Sequence, residues 1–311
     1  MAVLLVITIG LTACVTRPVI VSPAADRLAP WTASLSAQQP DDPFVSVYRI
    51  GARHLVFIGA VHENRVDSGT FRLIGRAFDH YRFGRVIVEG YPTSRGANPD
   101  RLLKEAAEPA TPDGFQPSGE AVPAERGAIA QNAQIWGGEP DDLDVKAFAL
   151  RRGITEADLL GFYVLRMVPQ WLREREIASP ADSRLAGLVD KEMTRQRMSL
   201  AMAPTVLPDP GAWQRWYRTI QGRALDGRFS TEEVGPRVDG SFATNRIASI
   251  VAEARDAHLH RLMIRQLNEG ASVLVVYGGS HLMIHRPALA SAIGKPCYEG
   301  GDLTRSVSAC R

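Results

Sequence analysis

Three short stretches of the chain are apolar almost without interruption, and they constrain its fold more than any other feature. They lie at residues 54–61 (HLVFIGAV), 85–89 (RVIVE) and 272–277 (SVLVVY). Strands that are apolar on both faces are typical of a parallel sheet covered by helices on both sides. Helical patterns separate the three stretches. The chain therefore predicts an α/β fold with a mostly parallel central sheet, helices on both faces and a helical insertion.

The other elements follow from periodicity and capping signals. Ser68 is a suitable N-cap, and Gly270 is placed just beyond the end of the longest helix. Pro140 is expected at the first position of a helix, where its missing N–H is not needed. The predicted helices span residues 68–81, 120–134, 155–200 and 242–268, and the additional strands span residues 44–50 and 134–137.

The folded part is predicted to be a single domain, residues 44–311, with a variable helical middle at about 90–240. Pro, Gly and Asn recur throughout residues 90–118, and this composition predicts a long loop or lid. Residues 221–240 are rich in Gly and charge and predict a mobile excursion. A chain of 311 residues is long enough for one large α/β domain with a buried core.

The N-terminus has the features of a secretory signal. Residues 2–11 are almost wholly apolar, yet they are too few to span a bilayer, which needs about 20 residues. They suit the apolar core of a signal peptide, although no Lys or Arg precedes them. The sequence Leu-Thr-Ala-Cys at residues 11–14 resembles a bacterial lipobox. The resemblance implies cleavage after residue 13 and lipidation of Cys14.

This interpretation predicts where the protein is located in the cell. Residues 1–13 are predicted to be a lipoprotein signal peptide, and residues 14–43 a flexible tether rich in Pro, Ala, Ser and Gln. The protein is then expected in the bacterial cell envelope, anchored by lipid on Cys14 in the outer membrane and facing the periplasm. Of the three cysteines, Cys297 and Cys310 lie outside the lipobox, and an oxidising periplasm would allow them to form a disulfide. Alternatively, both are buried free thiols.

The charge balance argues against nucleic acid as a partner. The chain has 36 Lys and Arg against 34 Asp and Glu, for a net charge of +2. The longest basic run is the pair Arg151 and Arg152. A protein that grips a phosphate backbone needs a clustered basic surface.

Two of the apolar strands end in the same pattern, a glycine followed three residues later by a histidine. The first is residues 59–62 (GAVH), and the second is residues 278–281 (GGSH). In a parallel sheet, ligands bind in the crevice at the carboxyl ends of the strands. His62 and His281 are therefore expected at one rim of the sheet. A third match, residues 51–54, opens a strand and predicts a hairpin turn.

Acidic residues follow strands at the same rim. Glu89 comes directly after the β-branched residues 86–88 and ends that strand, with a solvated charge as the alternative. Glu139 follows the short strand, and Glu120 follows Ser-Gly at 118–119. For Glu120 and Glu139, a helix-start role is equally consistent, because an acid complements the helix dipole.

The long helix carries one charged residue on an apolar side. Arg255 has apolar residues at i−4, i+4 and i+7, so it needs a carboxylate partner or an anion if it is covered. Asp256 is expected to point elsewhere, on the face of His260. The remaining histidines are predicted to lie at the surface; these are His54, His80, His258, His260 and His285.

Together these residues resemble the TraB/GumN/Tiki family, which belongs with the erythromycin esterase-like and ChaN-like proteins. The resemblance rests on residues 59–62, Glu89 and residues 275–282, with Arg255 on the helix before the second motif. It covers about residues 44–295, with firm matches at the two ends only. Ala-Val and Gly-Ser stand inside the two motifs, where Tiki-like branches more often have Thr in the first and Ala-Ala in the second.

The resemblance implies a membrane-tethered hydrolase of the peptidase or esterase type, acting on a peptide or small-molecule substrate. His62, Glu89 and His281 would bind one divalent cation, with Zn, Mn or Co as candidates. Glu120 or Glu139 would act as general base, and Arg255 would stabilise the oxyanion. A metal-free variant with one histidine as general base, similar to the esterase branch, stays open. The alternatives are a ChaN-like lipoprotein that binds haem or iron without catalysis, and a structural lipoprotein without a site.

Overall fold

The structure is a computed structural model that describes residues 27–311. The predicted signal peptide and Cys14 lie outside the described residues. The strands are β1 (Phe44–Ile50), β2 (Arg53–Ala60), β3 (Arg85–Pro92), β4 (Gln134–Glu139), β5 (Val273–Gly278) and β6 (Tyr298–Gly300). The helices are α1 (Ala33–Ser36), α2 (Gly69–His80), α3 (Asp100–Ala107), α4 (Ala121–Gln131), α5 (Asp142–Arg151), α6 (Glu156–Leu165), α7 (Val168–Arg173), α8 (Leu185–Ser199), α9 (Pro210–Gln221), α10 (Ala243–Asn268), α11 (Gly279–Ile293) and α12 (Leu303–Ala309). Short 3-10 turns occupy Thr93–Arg95 and Thr231–Val234.

The six strands form one mixed sheet in the order β4-β3-β5-β2-β1-β6. The four strands β4, β3, β5 and β2 are parallel, whereas β1 and β6 add an antiparallel edge. The prediction of an α/β class with a mostly parallel sheet is thereby confirmed. In the pairing register, Ala60 lies opposite Gly278 and Val88 lies opposite Val276. The carboxyl ends of β2, β3 and β5 therefore meet at one rim.

Apolar side chains cover both faces of the sheet, as the continuous apolar strands require. On one face, Val56 and Ile58 of β2 pack with α2, α4 and α12. On the other face, Leu55 and Phe57 pack with α11 and the second half of α10. A separate core joins α5 to α9 with the first half of α10, and it forms the helical insertion. Because α10 contributes to two of these cores, it is buried on more than one side.

The segment before β1 differs from the predicted tether. Trp31 is 9% exposed and belongs to the core on the α10 face. The Ala29 N–H donates to the Ile284 carbonyl at 3.0 Å, and the Val238 N–H donates to the Trp31 carbonyl at 2.9 Å. The prediction of a flexible tether is therefore wrong for residues 27–43. The indole anchors this stretch, although its sequence has no periodicity.

Three further boundaries differ from the predictions. The predicted loop at 90–118 contains the end of β3 and helix α3, whose Leu102 is fully buried. Pro140 precedes α5 instead of opening it, since β4 continues through Glu139 and Asp141 is the N-cap residue. The predicted mobile excursion at 221–240 is anchored by buried Glu233, which accepts a hydrogen bond from the Tyr217 hydroxyl at 2.6 Å.

A disulfide joins Cys297 and Cys310 across the C-terminal segment, with 5.3 Å between the Cα atoms. It ties α12 to the start of β6, the outermost strand on the antiparallel side of the sheet. The two residues are 13 apart in sequence. A loop of this length restricts the unfolded chain enough to contribute about 3 kcal/mol to the free energy of unfolding.

One buried acid in α4 has no hydrogen-bond partner within residues 27–311. The side chain of Glu125 is fully buried, and neither of its carboxylate oxygens is hydrogen-bonded there. Burial, assisted by the negative charge of Glu105, raises the pKa of Glu125 from 4.5 to about 8. A carboxyl group whose pKa rises on folding binds its proton more tightly in the folded state. Its contribution to stability is therefore complete below its ordinary pKa and is lost as the pH rises through the folded value.

We predict that Glu125→Gln removes this pH dependence. Relative to the variant, the wild type should lose up to about 1.4 kcal/mol of unfolding free energy per pH unit between about pH 5 and pH 8. Urea unfolding at several pH values in this range measures the difference. Glu176→Gln, at an exposed position, is the control and should follow the wild type. Parallel curves for wild type and Glu125→Gln would contradict the account.

Candidate functional site

The rim formed by β2, β3 and β5 gathers the two histidines and the first glutamate. His62 follows β2 by two residues, Glu89 lies within β3, and His281 lies in the first turn of α11 directly after β5. Gly278, at the end of β5, is required by space. A Cβ atom there would lie 2.9 Å from His62 Nε2 and 3.6 Å from Glu89 Oε2. The predicted convergence of His62, Glu89 and His281 is thus found in the structure.

Glu89 occupies the centre of this cluster. Its Oε2 lies 3.9 Å from His62 Nε2, and its Oε1 lies 3.6 Å from His281 Nε2. Oε1 accepts a hydrogen bond from Arg255 Nη2 at 2.7 Å, and Oε2 accepts one from the Gly278 N–H at 2.8 Å. Burial opposes ionisation, but His281, Arg255 and His62 together keep the pKa of Glu89 well below its usual range. Glu89 is therefore an anion.

A second carboxylate lies behind each imidazole. His62 Nδ1 lies 2.5 Å from Glu120 Oε1, and His281 Nδ1 lies 2.6 Å from Asp256 Oδ1. Because a carboxylate accepts hydrogen bonds only, each Nδ1 carries a proton. The Nε2 atom of each ring is then the one that faces Glu89 and is open to a proton or another partner.

These carboxylates change the titration of both rings. Against the effect of burial, Asp256 and Glu89 raise the pKa of His281 to about 10. Glu120 and Glu89 likewise raise the pKa of His62, although burial and the positive charge of Arg173 oppose them. Without another cation, the Nε2 atom of His281 therefore holds a proton at neutral pH.

Arg255 and Glu139 form a partly buried ion pair behind Glu89. Arg255 Nε donates to Glu139 Oε2 and Nη2 donates to Glu139 Oε1, both at 2.6 Å. Glu139 Oε1 also accepts from the Tyr277 hydroxyl at 3.2 Å and from the Gly90 N–H at 3.2 Å. The sequence assigned Glu139 as a candidate general base and Arg255 as an oxyanion donor. Both groups are instead engaged with each other, which argues against these roles and makes them supports of Glu89.

Asp256 is the site residue that the sequence analysis missed. It is 2% exposed, and its Oδ1 accepts from His281 Nδ1 and also from His285 Nε2 at 3.2 Å. His260 and His285, predicted at the surface, are also buried, and their rings stack with centroids 5.7 Å apart. Apolar residues at helical spacing from Asp256, namely Ala252, Leu259 and Met263, were the available signal.

Solvent reaches the three residues of the centre unequally. The side chain of His62 is 42% exposed, whereas those of Glu89 and His281 are 21% and 7% exposed. His62 is therefore the most accessible of the three to a molecule in solution. Glu120, which holds this ring, is 16% exposed and lies at the start of α4.

Within residues 27–311, no group of three or more His, Cys, Asp and Glu side chains is already spaced to hold a metal ion. Across the same residues, no helix combines the length and the apolar character needed to cross a bilayer. Comparisons with protein-family models, curated proteins and solved structures each found no match to this chain. The family resemblance drawn from the motifs thus stays a prediction.

We predict that Asp256→Asn lowers the pKa of His281 by at least about 1, because the variant loses the negative charge at Nδ1. Histidine titration by ¹⁵N NMR on chelator-treated protein measures this value. The matched control is Glu253→Gln on the exposed side of the same helix, where Glu253 pairs with Arg152. It should leave the pKa of His281 unchanged. A wild-type value near 6.5, or the same value in Asp256→Asn, would show that the hydrogen bond does not control the ring.

Proposed function

We propose that the protein is a hydrolase that uses one divalent cation, bound by the Nε2 atoms of His62 and His281 and by Glu89. The observation that carries the proposal is the pair of carboxylates behind the two rings, Glu120 and Asp256. Histidines that bind metal ions almost always give their other ring N–H to such a partner, because it fixes the orientation and tautomer of the ring.

The charge of the cluster supports a cation. Four carboxylates surround the centre and one guanidinium, that of Arg255, lies among them; the carboxylates are those of Glu89, Glu120, Glu139 and Asp256. The raised pKa values of both histidines express this excess of negative charge. A divalent cation would replace the protons that the rings otherwise bind at Nε2.

The donor atoms fit such an ion in kind. Two bonds of about 2.1 Å at a tetrahedral angle would separate their donor atoms by about 3.4 Å. His281 Nε2 lies 3.6 Å from Glu89 Oε1 and His62 Nε2 lies 3.9 Å from Glu89 Oε2, so the two rings face different oxygens and the side chains would have to move toward a common ion. Each oxygen of Glu89 accepts one hydrogen bond from the protein and retains a second lone pair for the ion.

The protein side chains then have separate roles in the proposed reaction. A bound divalent cation lowers the pKa of a water ligand and polarises a carbonyl group. Arg255 and the Gly278 N–H hold Glu89 in place, and Asp256 holds His281. Glu120 Oε2 accepts no hydrogen bond within the described part of the chain, and we assign it as the acceptor of the water proton. In this account the general base is Glu120 and Glu139 has a supporting role.

A metal-free version of the same reaction is the second candidate. The hydrogen bond of 2.5 Å between His62 and Glu120, with the ring partly open to solvent, is the arrangement of a histidine general base oriented by a carboxylate. In this version His62 Nε2 takes the proton of water directly. Activity that persists after complete removal of metal distinguishes it from the first version.

The wider assignments rest on the motifs. The α/β sheet and the Gly-x-x-His pair support a place in the TraB/GumN/Tiki family of the erythromycin esterase-like and ChaN-like superfamily. The lipobox supports a lipid-anchored protein of the bacterial envelope. The haem-binding alternative finds less support, because charged groups surround the two Nε2 atoms, whereas a haem needs broad apolar faces.

We predict that protein purified without chelator contains about one divalent metal ion per chain. Its metal content, measured by inductively coupled plasma mass spectrometry, should fall to background in the His62→Ala/His281→Ala double variant. The control is His80→Ala, whose side chain is exposed at the end of α2 and should leave the metal content unchanged.

Wild-type protein that is purified without metal and binds no added Zn, Mn or Co would refute the metal-dependent version. If such protein still hydrolyses esters or peptides and His62→Ala abolishes the activity, the metal-free version is correct. If added haemin gives a Soret shift that the double variant loses, the haem-binding alternative replaces both.

A further inference from the structure

Arg173 is held at the loop that follows β2 by a buried amide. It is the last residue of α7, and its Nε donates to Asn64 Oδ1 at 3.0 Å. Asn64 is 5% exposed, and its Nδ2 donates to the Gln116 carbonyl at 3.0 Å. Since both ends of the amide are used, the guanidinium has a fixed position although its side chain is partly exposed.

The charge of Arg173 has no acidic partner. No Asp or Glu oxygen in residues 27–311 lies within 4.0 Å of its nitrogens, and its Nη1 and Nη2 atoms make no hydrogen bond there. Arg175, two residues later, differs in this respect, since its Nη1 pairs with Asp113 at 3.1 Å. Arg255, inside the centre, binds two carboxylates. Within the described residues, Arg173 therefore keeps both Nη atoms available to an anionic ligand.

The guanidinium is tied to the two segments that form the His62 side of the centre. Asn64, which holds it, is only two residues from His62, so both belong to the loop that follows β2. Gln116, whose carbonyl holds Asn64, comes four residues before Glu120, whose Oε1 contacts His62 Nδ1. Arg173 is therefore anchored to the loops that carry His62 and Glu120.

We propose that Arg173 binds a carboxylate of the substrate, so that the natural substrate is a peptide or ester with a free carboxylate near the bond that is cleaved. This inference rests on the proposed hydrolase function. Two parallel N–H donors on a planar guanidinium match the two oxygens of a carboxylate. Phosphate has the same geometry, but its second negative charge would be repelled by Glu89 and Glu120.

Equilibrium binding to the full chain tests the proposal without any need for turnover. The probes are N-acetyl-trialanine with a free C-terminal carboxylate and the same peptide with a C-terminal amide, titrated by calorimetry. We expect the free acid to bind about tenfold more tightly than the amide, a ratio that a charge-assisted contact at a partly exposed site provides. In Arg173→Gln the two peptides should bind equally weakly.

Arg175→Gln is the matched control, because it removes a neighbouring arginine that already has a partner, and it should keep the preference for the free acid. Thermal unfolding of Arg173→Gln at the wild-type temperature checks that the fold is intact. The proposal is overturned if wild type binds the acid no better than the amide, if Arg173→Gln keeps the preference, or if inorganic phosphate displaces the acid at comparable concentration. Absence of hydrolysis or of metal leaves this comparison unaffected, so failure of the proposed function is recognised separately.

Discussion

The ion pair between Glu89 and Arg255 is the interaction on which the rest of the centre depends. It joins β3 to the middle of α10, and Glu139 extends it to β4. Charges in such a place are stable only as a group, since removing Arg255 would leave two buried carboxylates facing each other. The same pair fixes the carboxylate that both histidines face.

The excess of negative charge around the centre relates this ion pair to the proposed function. The four carboxylates of the cluster outnumber its one arginine, and the pKa values of the two histidines are raised as a result. This excess of negative charge does not stabilise the fold, because apolar residues of similar size would cost less free energy to bury at the same rim. A site that attracts a cation does require an excess of negative charge. Arg173, outside the ring of acids, supplies an opposite charge where an anionic group could arrive.

The sequence predicted those features that depend on local pattern. Continuous apolar runs located β2, β3 and β5, and their parallel arrangement brought His62, Glu89 and His281 together. Asp256 was missed because α10 packs against both the sheet and the helical insertion, so its buried surface is wider than one apolar stripe and includes a charged residue. The role of Arg173 depends on Asn64, 109 residues earlier, and no periodicity encodes a contact of that kind. The order of residues 27–43 depends on the packing of Trp31 with Leu28 and Leu35 and on backbone hydrogen bonds to distant residues, which no local pattern encodes.

The most direct test of the account is an anomalous diffraction map from crystals of the protein grown with Mn²⁺ or Zn²⁺. The account predicts one peak at the rim, with His62 Nε2, His281 Nε2 and an oxygen of Glu89 each at about 2.0–2.2 Å. A map without a peak at this position, or coordinates that place the two imidazoles on different sides of the molecule, would contradict it.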